Sequence, residues 1–187
     1  RGMPHNYVRQ VNSTNPDDNA WAKFERAEID VEGFDALFAA EAEALGHALE
    51  GAAVIACLAG DVRPYMVNAL DRLKAEGFGI GCITNNVKAG RGAAMARSED
   101  KALQVESIMA RFDHVIESSK AGVRKPDPRI YQMMCEALSV SPETCIYLDD
   151  LGINCKPAAT LGMHAIKVTS GEQALADLES AVGLSLV

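Results

Sequence analysis

The sequence predicts an α/β protein in which a small helical region is followed by a doubly wound parallel sheet. From residue 61 onward, short apolar segments alternate with segments of helical spacing, as in βαβ units that place helices on both faces of a parallel sheet. Before that point, residues 19–49 are rich in Ala and Glu and contain no convincing strand. We therefore expect a helical region over residues 1–55 and an α/β core over residues 56–187.

Four short apolar segments of the core have the length and composition of buried strands. The first core helix is predicted to begin with Asp61 as its N-cap and Pro64 in its first turn, and to end at Gly77. A second helix start is Pro128, which follows the capping residue Asp127. The predicted strands cover residues 79–83, 112–116, 144–148 and 164–168, and the further helices cover residues 102–109, 128–138, 157–161 and 172–182.

The charge and composition of the chain exclude several classes of partner. Its 187 residues include 26 acidic and 18 basic side chains, a formal charge of −8, and no Lys/Arg-rich run that could bind nucleic acid or an anionic membrane. The longest apolar stretch, residues 52–59, is shorter than the roughly 20 residues that span a bilayer. Five cysteines without a Cys-x-x-Cys pair indicate free thiols in a reducing compartment. We expect a cytoplasmic protein without nucleic-acid or membrane partners.

Polar side chains follow three of the predicted strands, where ligands of an open parallel sheet bind. Thr84 and Asn85 come directly after the first strand, Lys125 lies in the loop after the second, and Asp149 and Asp150 follow the third. A hydroxyl, an ammonium and a carboxylate pair in one cleft fit a phosphoryl group held beside a divalent cation. Mg²⁺ uses few protein carboxylates and fills its other positions with phosphate oxygens and water. The sequence therefore predicts phosphoryl-transfer chemistry with Mg²⁺.

Each of these groups also has a purely structural interpretation. Thr84 and Asn85 are common in turns and N-caps, and Lys125 belongs to a segment that is typical of a helix start. The adjacent Asp149 and Asp150 are harder to explain in this way, because like charges at the end of a buried strand repel each other and resist desolvation. It is the combination of the three groups that favours a functional site.

The order of the motifs resembles the haloacid dehalogenase-like hydrolase superfamily. Residues 83–85 resemble its second motif, Lys125 with Pro126 the third, and residues 147–150 the fourth. The longer strings at residues 125–131 and 148–154 are similar to the subgroup that contains the N-terminal phosphatase domain of soluble epoxide hydrolase. The resemblance implies a Rossmann-like core, with the helical first third of the chain as a cap that covers the active-site cleft.

The resemblance also implies the roles of the phosphate-binding residues. By this resemblance Thr84 and Asn85 hold the phosphoryl oxygens, and Lys125 neutralises charge on the phosphate and on the nucleophile. The implied reaction is Mg²⁺-dependent hydrolysis of a small phosphorylated metabolite through an aspartyl-phosphate intermediate.

The metal ligands implied by the resemblance lie in the fourth motif. Asp150 ligates Mg²⁺, and Asp149 is either a second ligand or an orienting group. Asn154 stands where many members of the superfamily carry another acid, so we expect it to contact the ligands rather than the metal.

The aspartate nucleophile of the superfamily's first motif has no counterpart in this sequence. Asp17 and Asp18 do not follow a strand, Asp30 and Asp35 lie in helical sequence, and Asp61 is predicted to cap a helix. We expect that the chain lacks an N-terminal strand with this nucleophile and binds Mg²⁺ and phosphate weakly without turning over esters. Two alternatives stay open: a non-catalytic phosphate-binding or interaction protein on the same fold, and a 2-haloacid dehalogenase.

Overall fold

The structure is a computed structural model that describes residues 2–57, 61–86 and 99–186. It confirms the predicted α/β class with parallel strand pairing. The strands are β1 (Gly81–Thr84), β2 (His114–Glu117), β3 (Ile146–Asp149) and β4 (His164–Lys167). The helices are α1 (Tyr7–Ser13), α2 (Ala20–Glu25), α3 (Val31–Ala44), α4 (Gly51–Ile55), α5 (Pro64–Ala75), α6 (Glu99–Met109), α7 (Ser118–Ala121), α8 (Pro128–Leu138), α9 (Gly152–Thr160) and α10 (Gly171–Val182).

The chain divides into two compact units. The first unit comprises Arg1–Gly60, Asn85–Val105 and Ser118–Arg124. The second unit comprises Asp61–Thr84, Glu106–Glu117 and Lys125–Val187, and it contains all four strands. Within the described residues, no helix is both long enough and apolar enough to cross a membrane.

An aromatic cluster forms the core of the first unit. The rings of Phe24 and Phe34 are stacked with their centroids 4.6 Å apart, and Phe38 lies 5.5 Å from Phe34. All three side chains are buried. Side-chain N-caps start the two helices that carry them: Asn19 accepts from the N–H of Ala22, and Asp30 from that of Gly33. Residues 19–49, for which the sequence predicts no strand, contain helices and no strand.

The four strands of the second unit form two separate parallel pairs. β1 pairs with β2, with Thr84 opposite Glu117, and β3 pairs with β4, with Asp149 opposite Lys167. In the part of the chain that is described, each strand has one strand neighbour. Thr84 and Asp149 are the last residues of β1 and β3. They lie at the carboxyl ends of parallel strands, where the sequence predicts the site.

Helices cover these strands and fix their positions. α8 packs on β1 and β2, and α9 packs on β3 and β4. α8 approaches β1 closely at Gly81, where a Cβ atom would lie 2.5 Å from Sδ of Met134 and would force that side chain to shift. A second apolar cluster joins α5 and α10 to the sheet, and its buried members are Ala69, Leu73, Ile80, Leu175, Leu178 and Leu186.

The predicted elements of the second unit are present, although most of their bounds shift by one or more residues, and the starts of two helices differ for a clear physical reason. The prediction that Asp61 caps α5 is wrong: Arg63 occupies the N-cap, and Pro64 is the first helical residue because its fixed φ suits that position. α9 begins at Gly152 rather than at Pro157, and its first turn is held by bonds to Asp149 described below.

Candidate active site

Lys125 and Asp149 form an ion pair at the end of β3. Nζ of Lys125 lies 2.8 Å from Oδ2 of Asp149, and the two side chains are only 14% and 5% exposed. Asp149 is the last residue of β3, whereas Lys125 precedes α8. The fold thus brings together residues of the third and fourth sequence motifs that are 24 positions apart.

The carboxylate of Asp149 accepts hydrogen bonds on both oxygens. The Tyr147 hydroxyl donates to Oδ2 at 2.7 Å, and the N–H of Leu151 and the amide of Asn154 donate to Oδ1 at 2.8 and 3.0 Å. Burial by itself raises the pKa of Asp149, but the hydrogen bond and charge of Lys125 outweigh it, and the pKa lies below its ordinary value. Asp149 is therefore ionised at neutral pH and held in one orientation.

Two tyrosines that the sequence analysis did not single out support this carboxylate. Tyr131 is fully buried and donates from its hydroxyl to the carbonyl of Asn154 at 2.8 Å. Its ring meets that of Tyr147 edge-on with centroids 5.1 Å apart. Burial raises the pKa of Tyr131 to about 12. Burial and the hydrogen bond to Asp149 also raise the pKa of Tyr147. The signal for Tyr147 was its position two residues before Asp149, which places both side chains on one face of a strand.

Asp150 differs from Asp149 in being exposed. It follows β3 directly and can offer a carboxylate to a cation in solution. Within the described residues, no group of three or more His, Cys, Asp or Glu side chains could hold a metal ion. One exposed carboxylate fits Mg²⁺, which takes one or two protein carboxylates together with substrate phosphate and water.

Thr84 is the last residue of β1, and the charge of Lys125 affects the pKa of a thiol on this strand. Burial raises the pKa of the Cys82 thiol, and the ammonium of Lys125 opposes that rise. Cys82 and Thr84 are two residues apart on β1, and so their side chains point to the same face of the strand. The charge of Lys125 therefore acts on Cys82, whose side chain shares a face of β1 with that of Thr84.

Asn85 lies in the first unit, and its side chain contacts a residue that the sequence analysis did not assign to the site. Nδ2 of Asn85 lies 3.2 Å from Oε2 of Glu25, to which Nε of Arg124 also donates at 2.6 Å. Glu25 is 60 positions from Asn85 and 99 from Arg124, and no local pattern links residues at such separations.

The described residues contain no second aspartate at a strand end that could act as a nucleophile. Of the four strands, β3 alone ends in aspartate. Asp30 caps α3, and Asp35 accepts from the N–H of Ala52 at 2.7 Å. Asp18 lies 3.3 Å from Lys23 in an ion pair.

Parts of this chain are similar to parts of longer known proteins. Acyl-CoA dehydrogenase family member 10 of Mus musculus is 39% identical over 123 residues, which are 66% of this chain and 11% of that protein. Bifunctional epoxide hydrolase 2 of Sus scrofa is 36% identical over 122 residues, 65% of this chain and 21% of that protein. Phosphatase MT3486 of Mycobacterium tuberculosis is 34% identical over 113 residues, 60% of this chain and 47% of that protein. The chain therefore spans less than half the length of each of these relatives.

Solved structures share the fold. An enzyme from Bacteroides thetaiotaomicron, in complex with magnesium and inorganic phosphate, aligns with a TM-score of 0.57 and 19% identity over 88% of this chain and 84% of that one. At the level of sequence, the family model of the haloacid dehalogenase-like hydrolases matches residues 5–162 of this chain. This match covers most of the sequence, and the chain belongs to the haloacid dehalogenase-like hydrolase family.

Proposed function

We propose that this chain carries the phosphate and metal site of a Mg²⁺-dependent phosphatase that acts on a small phosphorylated metabolite. The observation that carries the proposal is the Lys125–Asp149 ion pair, held in place by neighbouring donors, with the exposed Asp150 next to it. A fixed ammonium beside an accessible carboxylate can bind a phosphoryl group and a divalent cation together. The relative named as a phosphatase and the fold neighbour solved with magnesium and inorganic phosphate support this proposal.

The proposed roles follow from the surroundings of each side chain. Lys125 attracts the phosphoryl group, and Thr84 offers a hydroxyl donor at the end of β1. Asp149 orients Lys125, because its carboxylate accepts from Lys125 and is held in place by three further protein donors. Asp150 holds Mg²⁺, which when bound supplies positive charge to the phosphoryl oxygens. Asn154 acts through Asp149, to which it donates.

The aspartyl-phosphate route needs a carboxylate nucleophile in line with the phosphorus atom. The described residues assign no aspartate to that role. For the chain itself, we therefore propose binding of Mg²⁺ and phosphate. We propose the aspartyl-phosphate route for a protein in which such an aspartate joins the site formed by Lys125 and Asp150.

Calorimetric titration of the chain with Mg²⁺, and with inorganic phosphate in the presence of Mg²⁺, tests the proposal. We expect Asp150→Asn to weaken Mg²⁺ binding by about tenfold or more, because it removes the charge of the proposed ligand. Lys125→Ala should nearly abolish phosphate binding. Asp177→Asn, on α10, is the matched control and should change neither affinity. Unchanged Mg²⁺ binding in Asp150→Asn would contradict the metal assignment.

A non-catalytic binding protein on the same fold is the second candidate. It is favoured by the lack of a second strand-end aspartate in the described residues. Release of p-nitrophenol from its phosphate ester, measured on a protein in which an aspartate joins the site, separates the two candidates: turnover supports the phosphatase, whereas phosphate binding without turnover supports the binding protein. Release of chloride from a 2-halo acid would instead indicate a dehalogenase and contradict both.

A further inference from the structure

Glu25 is a buried acid that joins its own segment of the first unit to the two other segments of that unit. It is the last residue of α2 and only 7% exposed. Its carboxylate accepts from Nε of Arg124 at 2.6 Å and from Nδ2 of Asn85 at 3.2 Å, and its backbone carbonyl accepts from the hydroxyl of Ser118 at 2.6 Å. One residue thus ties together parts of the chain that are far apart in sequence.

The segments that Glu25 binds adjoin the candidate site along the chain. Asn85 follows Thr84 directly, and Arg124 directly precedes Lys125. The chain passes from one unit to the other at both of these peptide bonds, and again just before Ser118. Fixing Asn85 and Arg124 therefore limits the backbone freedom of the two residues to which we assign the phosphate.

Further bonds make this arrangement rigid. Oδ1 of Asn86 accepts from both the N–H and the hydroxyl of Ser119, at 3.2 and 3.0 Å. Arg124 also donates to the carbonyl of Pro16 at 3.0 Å. The Arg124 and Glu25 side chains are 17% and 9% exposed, which sets this ion pair apart from surface pairs that contribute little. A buried charge of this kind holds its partners in one geometry, because loss of a partner leaves the charge uncompensated.

We propose that Glu25 is a positioning residue for phosphate binding, acting through Asn85 and Arg124 on their chain neighbours Thr84 and Lys125. The proposal rests on the proposed phosphate site. It assigns to α2, a helix of the first unit, a part in phosphate affinity, because Glu25 binds the chain neighbours of Thr84 and Lys125.

Two variants of Glu25 test this role. Glu25→Gln keeps the shape and an accepting oxygen but removes the charge, whereas Glu25→Asp keeps the charge and withdraws it by one methylene. We expect each to weaken inorganic phosphate binding, measured by calorimetry in saturating Mg²⁺, by about tenfold, as expected for a lost bond between charged groups. Mg²⁺ binding measured without phosphate should stay unchanged.

Glu28→Gln is the matched control, since Glu28 forms a more exposed ion pair with Arg26 in the same segment. We expect it to leave both affinities unchanged. Amide hydrogen exchange measured on the same proteins shows whether they remain folded. In the Glu25 variants, exchange should be faster at residues 84–86 and 118–125 and unchanged in β3 and β4.

The outcomes separate the two proposals. Phosphate binding by the wild-type chain with unchanged affinity in the Glu25 variants overturns the role of Glu25 and leaves the phosphate site standing. A loss of Mg²⁺ affinity equal to the loss of phosphate affinity also overturns it, since that result indicates general damage to the fold. Absence of phosphate binding in the wild-type chain overturns the proposed site and the role of Glu25 with it.

Discussion

Lys125 and Tyr147 donate to the same oxygen of Asp149, at 2.8 and 2.7 Å. The ammonium comes from the loop before α8 and the hydroxyl from β3 itself, so one carboxylate oxygen links two elements of the second unit. A shared acceptor makes the two donors interdependent, because each one compensates the same negative charge.

We predict that the contributions of Lys125 and Tyr147 to stability are not additive. Lys125→Met and Tyr147→Phe should each lower the free energy of unfolding by about 1–3 kcal/mol, since each removes a bond to a charged group. The double variant should lose more than the sum, by about 0.5 kcal/mol or more, because Asp149 then keeps no donor on Oδ2 among those described. Urea unfolding of the four proteins measures the coupling, and strict additivity would contradict it.

The Tyr131 hydroxyl is predicted to stabilise the start of α9. Tyr131→Phe leaves the buried carbonyl of Asn154 without this donor, so we expect a loss of about 1–3 kcal/mol in the free energy of unfolding. Tyr65→Phe is the control, because its hydroxyl meets Glu172 at an exposed position, and it should change stability by less than about 0.5 kcal/mol. Equal losses in the two variants would argue against a special role for Tyr131.

The first unit should depend on its aromatic cluster. Phe34 is fully buried and contacts Phe24, Phe38 and Trp21, so Phe34→Ala should lower the free energy of unfolding by about 3–5 kcal/mol. Leu45→Ala removes a residue that is 43% exposed and should have little effect. Thermal unfolding followed by circular dichroism compares them, and similar midpoints for the two variants would contradict the assigned core.

Asp113 should make the stability of the second unit depend on pH. Its carboxylate accepts from Lys74 at 2.8 Å and from the N–H of Ile80 at 2.9 Å, next to the first residues of β1 and β2. The hydrogen bond from Lys74 and that from Ile80 hold the pKa of Asp113 below its ordinary value. A lowered pKa means that the stabilisation is complete above pH about 4 and is lost as the pH falls through the lower, folded-state pKa.

Asp113→Asn tests this dependence. The variant should be less stable than the wild type at pH 7, and the difference should shrink as the pH falls below about 4, where the unfolded carboxyl becomes protonated. Urea unfolding at several pH values between neutral and acid measures the difference. If the difference in the free energy of unfolding between the two proteins stays constant over that range, the charge of Asp113 does not contribute to stability.

Much of the secondary structure was predictable because its signals are local. α8 has the predicted bounds, Pro128–Leu138, since Asp127 caps it and proline suits its first position. The start of α9 was not predictable in the same way. Asp149 accepts from Leu151 and Asn154 in its first turn, and these contacts form only after β3 is in place.

The α/β class, the order of the predicted strands and helices, and the positions of Thr84 and Asp149 at strand ends follow from local sequence signals, because hydrophobic periodicity and helix caps act over a few residues. The sequence also contains the motifs by which the family is identified. The folded structure was needed to show that Asp149 is surrounded by protein donors while Asp150 is exposed, and that Glu25 binds Asn85 and Arg124. These contacts join residues from separate elements. The burial and the hydrogen bonds of such residues depend on how the elements pack, which no local sequence pattern encodes.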